Sequence, residues 1–262
     1  MSDAHEGLGS GAGLRGHVAL ITGGNGGIGL GMAMGLATAG ASLAIWGTNA
    51  DKNAAAAKRL RDVGATVHVE QCDVSSEDQV ESSFATTLAA LGKLDSVFAN
   101  AGVSQAPSHS WEIPFEEWRR VHSVNLDGLF LTLRAGARHM VERGEGGSLI
   151  GVASTSTIHG APSSAAYASS KTAVLGLVRA MAVGLARHRV RVNALTPGWT
   201  ATDMLAPAAN NEKFVTNTIG RTPVRRWADP AEFAKIAVFL ADPSLTFHTG
   251  DTIVVDGGYT IF

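Results

Sequence analysis

A doubly wound α/β fold, with a parallel sheet of about seven strands and helices on both faces, is what this 262-residue sequence predicts. Three observations carry it. Short apolar runs without strict alternation recur between longer helix-like stretches, as strands buried on both faces require. A glycine-rich loop joins the first such run to the first helical stretch. Polar residues of catalytic type then fall, one group after another, just past the ends of successive strands, where ligands bind in such sheets.

The elements follow in order. His17–Thr22 (HVALIT) is the first strand, and an Ala/Met/Leu-rich helix over Ile28–Ala39 follows the glycine loop. Strand Ser42–Trp46 leads to helix Asp51–Val63, and strand Thr66–Glu70 to helix Glu77–Leu91. Asp95–Ala99 is the fourth strand, followed by a long helix over Phe115–Val141. Gly147–Ala153 is the fifth, and its helix spans Ser164–Arg187. Val190–Leu195, helix Pro230–Ala241 and strand Asp251–Val255 complete the sheet. Right-handed crossovers are the default for such repeated units. Between Gly198 and Asp229 lies one long irregular segment with room for short helices. Loops of that length inside compact domains are usually functional, and residues 199–228 are the expected substrate lid.

Composition agrees with one domain over residues 14–262, preceded by a loose tail, Met1–Gly13, that lacks the apolar core of a secretory signal. The chain is 45% apolar and 17% charged, and its net charge of -2 gives no electrostatic reason to expect nucleic acid or an anionic membrane as partner. No uninterrupted apolar run reaches the ~18 residues of a membrane span, because Arg179 and Arg187 break the stretch after Lys171. The single cysteine, Cys72, fits a reducing compartment, and a cytoplasmic protein is expected. The histidines show no metal-ligand spacing, so no metal is expected.

Two constellations carry the chemistry. The first is Gly23-Gly24-Asn25-Gly26-Gly27-Ile28-Gly29, set between a strand and a helix. There, backbone N–H groups can approach a pyrophosphate, and the helix N-terminus adds partial positive charge. The second is Tyr167 with Lys171, spaced i, i+4 and so on one face of a helix. A free phenol titrates near ~10 and is a poor acid or base at neutral pH. A cation about 4 Å away, at an effective dielectric near 20, contributes roughly 4 kcal/mol, or up to about a thousandfold in acidity. Lys171 is therefore expected to lower the Tyr167 pKa into the useful range.

Thr22-Gly23-x-x-x-Gly27-Ile28-Gly29, Asn100-Ala101-Gly102, Asn125, Ser154, Tyr167-x-x-x-Lys171 and Pro197-Gly198 stand in one order and spacing. Together they resemble the short-chain dehydrogenase/reductase family over nearly the whole chain from about Leu14. The resemblance implies a Rossmann-like sheet and an NAD(P)-dependent oxidoreductase moving a hydride between a nicotinamide and a ketone or secondary alcohol. It implies that Tyr167 exchanges the proton, that Ser154 holds the substrate oxygen, and that Lys171 also binds the nicotinamide ribose. Asn125 would hold a water linking Lys171 to solvent. Pro197-Gly198-Trp199-Thr200-Ala201-Thr202 would lie against the nicotinamide, with Thr202 on its carboxamide; Thr200 departs from the family's usual aliphatic residue. Asp73-Val74 would contact the adenine, although Asp73 also reads as a helix N-cap.

The end of strand two reports the dinucleotide. NAD commonly meets an acidic residue there and NADP an arginine. Trp46-Gly47-Thr48-Asn49 offers neither, and the alternative basic position in the loop is Gly26. Lys52 is the nearest cation and belongs to the solvated face of the next helix. The balance favours NAD, with Thr48 and Asn49 as hydrogen-bonding groups. Trp111, Trp199, Met204, Leu205, Phe214 and Trp227 suggest a mostly apolar pocket for a small-molecule carbonyl or alcohol, with His109 and His159 as polar exceptions. The family resemblance implies a homotetramer. Two other classes stay open, a catalytically silent dinucleotide-binding regulator and an NAD-dependent epimerase or dehydratase.

Overall fold

The computed structural model describes residues 13–160 and 162–262, so the expected tail, save Gly13, lies outside the described residues. Strands β1 (Val18–Thr22), β2 (Ser42–Gly47), β3 (Val67–Gln71), β4 (Ser96–Ala99), β5 (Gly147–Val152), β6 (Val190–Pro197) and β7 (Thr252–Val255) form one sheet in the order β3-β2-β1-β4-β5-β6-β7. All six pairings are parallel. The chain winds outward one way from β1 and the other way from β4. The crevice between those two strands is therefore the reversal point, where this class of sheet places its ligand.

Alternation along each strand divides the core in two. Ala19 and Ile21 of β1 face a layer with Leu30, Met32 and Leu36 of α1 (Gly27–Thr38), Leu60 of α2 (Ala50–Asp62) and Ala237 and Leu240 of α9 (Ala234–Ala241). Val18 and Leu20 face the other layer. It holds Val80 and Phe84 of α3 (Glu77–Leu91), Leu129, Leu133 and Met140 of α5 (Leu129–Arg143), and Val174, Val178 and Ala182 of α6 (Ala165–Leu185). Burial on both faces explains why the strands read as plain apolar runs.

Two expectations change. The single helix expected over Phe115–Val141 is α4 (Phe115–His122), a π-helical turn over Ser123–Gly128, and then α5. Such π turns mark functional positions, and this one carries Asn125. The helix expected over Pro230–Ala241 opens as a 3₁₀ turn, Pro230–Phe233, with Asp229 and Glu232 forming a capping box, before α9 begins. The lid contains α7 (Ala206–Ala209) and α8 (Glu212–Arg221). Ala165–His188 is long and apolar enough by length and composition to cross a membrane, although Lys171, Arg179 and Arg187 interrupt its apolar run. Its Val174, Val178 and Ala182 are nevertheless core residues of the sheet, and Arg179 and Arg187 are exposed.

Candidate functional site

The glycine loop fits a dinucleotide by its geometry. Gly23 and Gly27 have φ of +64 and +47, a region that side chains rarely enter. A Cβ on Gly29 would lie 2.2 Å from the Gly23 carbonyl oxygen, so the turn closes only around hydrogen. Helix α1 begins behind Gly26 with no capping side chain and no acidic residue in its first turn. Its first N–H groups and positive dipole end are thus left to an anionic ligand. Ile28 is partly buried against the α1 layer of the core. The loop's Asn25 donates to Asn53 Oδ1 (2.7 Å), and Asn53 Nδ2 in turn donates to the carbonyls of Gly47 (2.9 Å) and Glu70 (3.1 Å). Asn53, which the sequence reading missed, locks the loop to the ends of β2 and β3. Its fully helical sequence context gave no signal of this role.

Across the crevice, the Thr22 hydroxyl accepts from the backbone N–H of Asn100 (3.0 Å) and Ala101 (3.1 Å), and Asn100 Nδ2 donates back to the Thr22 carbonyl (2.9 Å). Asn100 and Ala101 thus clamp β4 to β1. At the end of β2, Trp46 turns away from the crevice, fully buried, with its ring N–H on Thr87 Oγ1 (3.1 Å). Thr48 is exposed. Asn49 is the N-cap of α2, where Oδ1 accepts from the Lys52 N–H at 2.8 Å, so its side-chain oxygen is already engaged. The N-cap alternative for Asp73 is overturned: Ser76 caps α3, while Asp73 accepts from the N–H and hydroxyl of Ser75 (3.0 and 2.7 Å). Val74 packs on Gly128 of the π turn, where a Cβ would come within 2.6 Å. Lys52 does not simply point to water. Its ammonium pairs with Asp203 of the lid at 2.6 Å, across the mouth of the crevice.

Ser154, Tyr167, Lys171 and Asn125 converge. Ser154 lies two residues beyond β5 and caps the 3₁₀ turn Thr155–Thr157, its Oγ accepting from the Ser156 N–H (3.2 Å). Lys171, only 3% exposed, donates to the Val152 carbonyl at 2.8 Å. A Cβ on Gly102 would lie 3.2 Å from Asn125 Oδ1 and 3.3 Å from Lys171 Nζ, so this glycine lets the β4 loop reach the pair. Burial holds the Lys171 ammonium down at about 8. Burial also raises the Tyr167 phenol, and the nearby Ser154 hydroxyl opposes it. The expected depression of Tyr167 by Lys171 is thus not what this arrangement produces, because desolvation dominates both groups. Asn125, fully buried, spends its amide on the Val103 N–H (2.8 Å), the Val103 carbonyl (3.0 Å) and Ser170 Oγ (3.3 Å). Both amide hydrogens are thus engaged, so a water at this side chain could meet it only by donating to Oδ1.

The lid closes the remaining side. Thr202 lies over Gly27, where a Cβ would sit 3.1 Å from its methyl group, and a cleft of about 350 Å³ runs between Gly27, Thr202, Leu205 and Trp227. Thr200 is buried, bridges to Ala228 and donates to the Gly198 carbonyl (3.0 Å), which accounts for a hydroxyl at that position. Gly198, after Pro197, fits against Asp256, which a Cβ would approach to 2.6 Å. Trp199 packs edge-on to Phe214 and to Tyr259, a residue the sequence reading missed because it follows the last strand. Trp111, expected at the pocket, is instead 78% exposed and stacked on His109. Met204 is exposed. Among the described residues, no group of three or more His, Cys, Asp and Glu gathers as a metal site would require.

A parallel sheet with an uncapped glycine turn and a tyrosine-serine-lysine group at its reversal point defines a dinucleotide-dependent oxidoreductase. A family model described as enoyl-(acyl carrier protein) reductase matches residues 23–260. The chain is 34% identical over 248 residues to 2,5-dichloro-2,5-cyclohexadiene-1,4-diol dehydrogenase of Sphingobium indicum, covering 94% of this chain and 98% of that one. It is likewise 34% identical to 5-keto-D-gluconate 5-reductase of Escherichia coli, with 95% and 97% covered. A crystal structure of gluconate 5-dehydrogenase from Burkholderia cenocepacia with NADP and tartrate superposes with a TM-score of 0.88 at 36% identity, over 95% of this chain and 97% of that one. The chain belongs to the short-chain dehydrogenase/reductase family. It is an NAD(P)-dependent oxidoreductase acting on alcohols and ketones.

Proposed function

We propose that Tyr167 is the acid-base group, that Ser154 positions the substrate oxygen, and that Lys171 acts as the cation behind the proton transfer. When bound, the dinucleotide supplies or accepts the hydride. In the reductive direction the Tyr167 hydroxyl gives its proton to the carbonyl oxygen; in the oxidative direction its phenolate takes the alcohol proton. The observation that carries this is the buried Lys171, one turn along α6 from Tyr167 and hydrogen-bonded to the Val152 carbonyl at the end of β5, two residues before Ser154. Burial raises the phenol when nothing else acts on it. A substrate oxygen held by Ser154 and a Lys171 turned from the Val152 carbonyl toward Tyr167 would reverse that. Asn125 is a positioning residue, holding Val103 and Ser170 and through them Gly102 and α6. Tyr167→Phe is expected to lower kcat by about 10²–10⁴ while dinucleotide binding survives. Near-full turnover would refute the assignment.

The glycine turn, Asn100–Gly102, Asp73–Val74, Thr48, Asn49, Pro197–Gly198, Thr200 and Thr202 frame the dinucleotide in this reading, with Lys171 and Tyr167 at its nicotinamide end. NAD is favoured over NADP: the end of β2 carries no arginine, and Lys52 is already paired with Asp203. An NADP dissociation constant clearly below that of NAD would overturn this. Val183, 83% exposed on α6, and Phe130, 40% exposed on α5, support burial of these helices between subunits, and a homotetramer is proposed. A monomeric mass in solution would refute it. The buried Cys72, unpaired among the described residues, supports a cytoplasmic setting.

A further inference from the structure

We infer that Arg221 and His159 form a carboxylate subsite at the rim of the substrate pocket, so that the preferred substrates are hydroxy or keto acids. The inference rests on the hydride-transfer reading above and adds the substrate class.

Three aromatic contacts tie the subsite to the reacting group. His159 lies five residues beyond Ser154, and its N–H donates to the Thr155 carbonyl at 3.2 Å, in the turn that Ser154 caps. The Tyr259 ring meets His159 edge-on at 5.6 Å between centroids and Trp199 at 6.1 Å. Trp199 directly follows Gly198, so Tyr259 bridges the two loops that flank the reacting position. Arg221 ends α8 and lays its guanidinium carbon 4.7 Å from the centre of that same ring. One of its nitrogens stands 3.3 and 3.4 Å from the two ring nitrogens of His159.

The charge balance points to an anion. Asp203 is paired with Lys52 and Glu232 with Arg226, while Asp256 accepts from the N–H groups of Gly258 and Thr260. Among the described residues no carboxylate pairs with Arg221. A guanidinium held over an aromatic ring keeps its planar fork of donors pre-organised, which suits bidentate capture of a carboxylate. The expected apolar pocket thus has a cationic edge. Its other walls, Trp199, Phe214 and Trp227, remain apolar.

The test compares acids with their neutral primary amides, using gluconate, lactate and tartrate pairs with NAD and with NADP. The parent enzyme is expected to show higher kcat/KM on the acid. Arg221→Met is expected to lower that acid-to-amide ratio by at least about tenfold. Arg187→Met, at the far end of α6, is expected to keep it. A parent without preference for any acid, or an Arg221→Met ratio equal to the parent's, would overturn the subsite. Should no alcohol turn over with either dinucleotide, the hydride-transfer reading fails. Tartrate binding followed by tryptophan fluorescence then still decides the subsite: weaker binding in Arg221→Met supports it, and unchanged binding overturns it. Inorganic phosphate binding more tightly than tartrate would reassign the position to a phosphate group and overturn the carboxylate assignment.

Discussion

Replacing Lys171 by methionine is expected to abolish turnover and yet make the protein more stable near neutral pH. The side chain is 3% exposed, and its pKa falls from an ordinary 10.5 to about 8 through desolvation. That drop corresponds to roughly 3 kcal/mol of cost for keeping the ammonium buried and charged at pH about 7. Methionine fills nearly the same space without the charge. Losing the hydrogen bond to the Val152 carbonyl gives back about 1–2 kcal/mol. A net gain of about 1–2 kcal/mol remains. The sign with pH follows from proton counts. Below about 8 both folded and unfolded chains hold the Lys171 proton, and the full cost applies. Between about 8 and 10.5 the unfolded chain keeps a proton that the folded chain has released, so the parent gains stability as pH rises. Above that window the neutral amine still donates to Val152, and the parent is the more stable protein. Urea unfolding of both proteins at pH about 7 and about 10 measures this. A methionine variant that is less stable at both pH values, or a difference that does not change with pH, would refute the reasoning.

Gly29→Ala forces a Cβ to 2.2 Å from the Gly23 carbonyl oxygen and is expected to open the turn. Dinucleotide binding measured by calorimetry should then be lost or weakened by orders of magnitude. Asn125→Ala removes a fully buried amide that pairs both partly buried Val103 backbone groups and is expected to cost about 1–3 kcal/mol. It should lower kcat more than it raises KM, which steady-state kinetics at fixed dinucleotide would show. Lys52→Ala removes the cation nearest the end of β2 and its contact with Asp203. NAD and NADP affinities should both hold, as read by fluorescence titration of each, because that cation is already engaged by Asp203.

The sheet was legible because its signal is long-range and redundant. Seven apolar runs separated by helical patterns admit few topologies, and their boundaries moved by only a residue or two, as Thr66–Glu70 to Val67–Gln71 illustrates. The candidate site residues were legible for a different reason: Gly23, Asn100 and Ser154 stand just past strands and so meet at one edge once the strands are ordered, and the helix after Ser154 carries Tyr167 and Lys171. What failed was anything set by side-chain direction. Trp111 belongs to a pocket loop and turns outward onto His109. Asn49 has the chemistry to meet a ribose, yet the exposed backbone N–H groups at the start of α2 claim it first. The π turn at Asn125 was invisible because Ser123-Val124-Asn125-Leu126-Asp127-Gly128 keeps enough apolar content to pass as uninterrupted helix. Sequence spacing placed Lys171 beside Tyr167 but said nothing about depth, and depth decides both pKa values.

The crevice gathers several locally costly features of the chain. Two glycines there have positive φ, helix α1 begins without a cap, an ammonium is buried without a counter-charge, and a phenol is desolvated. The uncapped helix start and the two buried polar groups would be relieved by an ordinary substitution, which is the pattern expected where structure is retained for chemistry rather than stability. The polar clamps explain why the site nevertheless keeps its shape. Thr22 and Asn100 fasten β1 to β4, Asn53 fastens the glycine loop to β2 and β3, and Asn125 fastens the β4 loop to α6. These side chains are motif or near-motif residues, and most of their hydrogen bonds go to backbone, not to the crevice. They are therefore the scaffold of the site, and the residues they position, Ser154, Tyr167 and Lys171, are free to sit in environments that the fold alone would not favour. A ligand that satisfies the α1 N–H groups and draws the Lys171 ammonium from Val152 relieves two of those strains at once. Binding energy and catalytic geometry are then supplied by the same contacts.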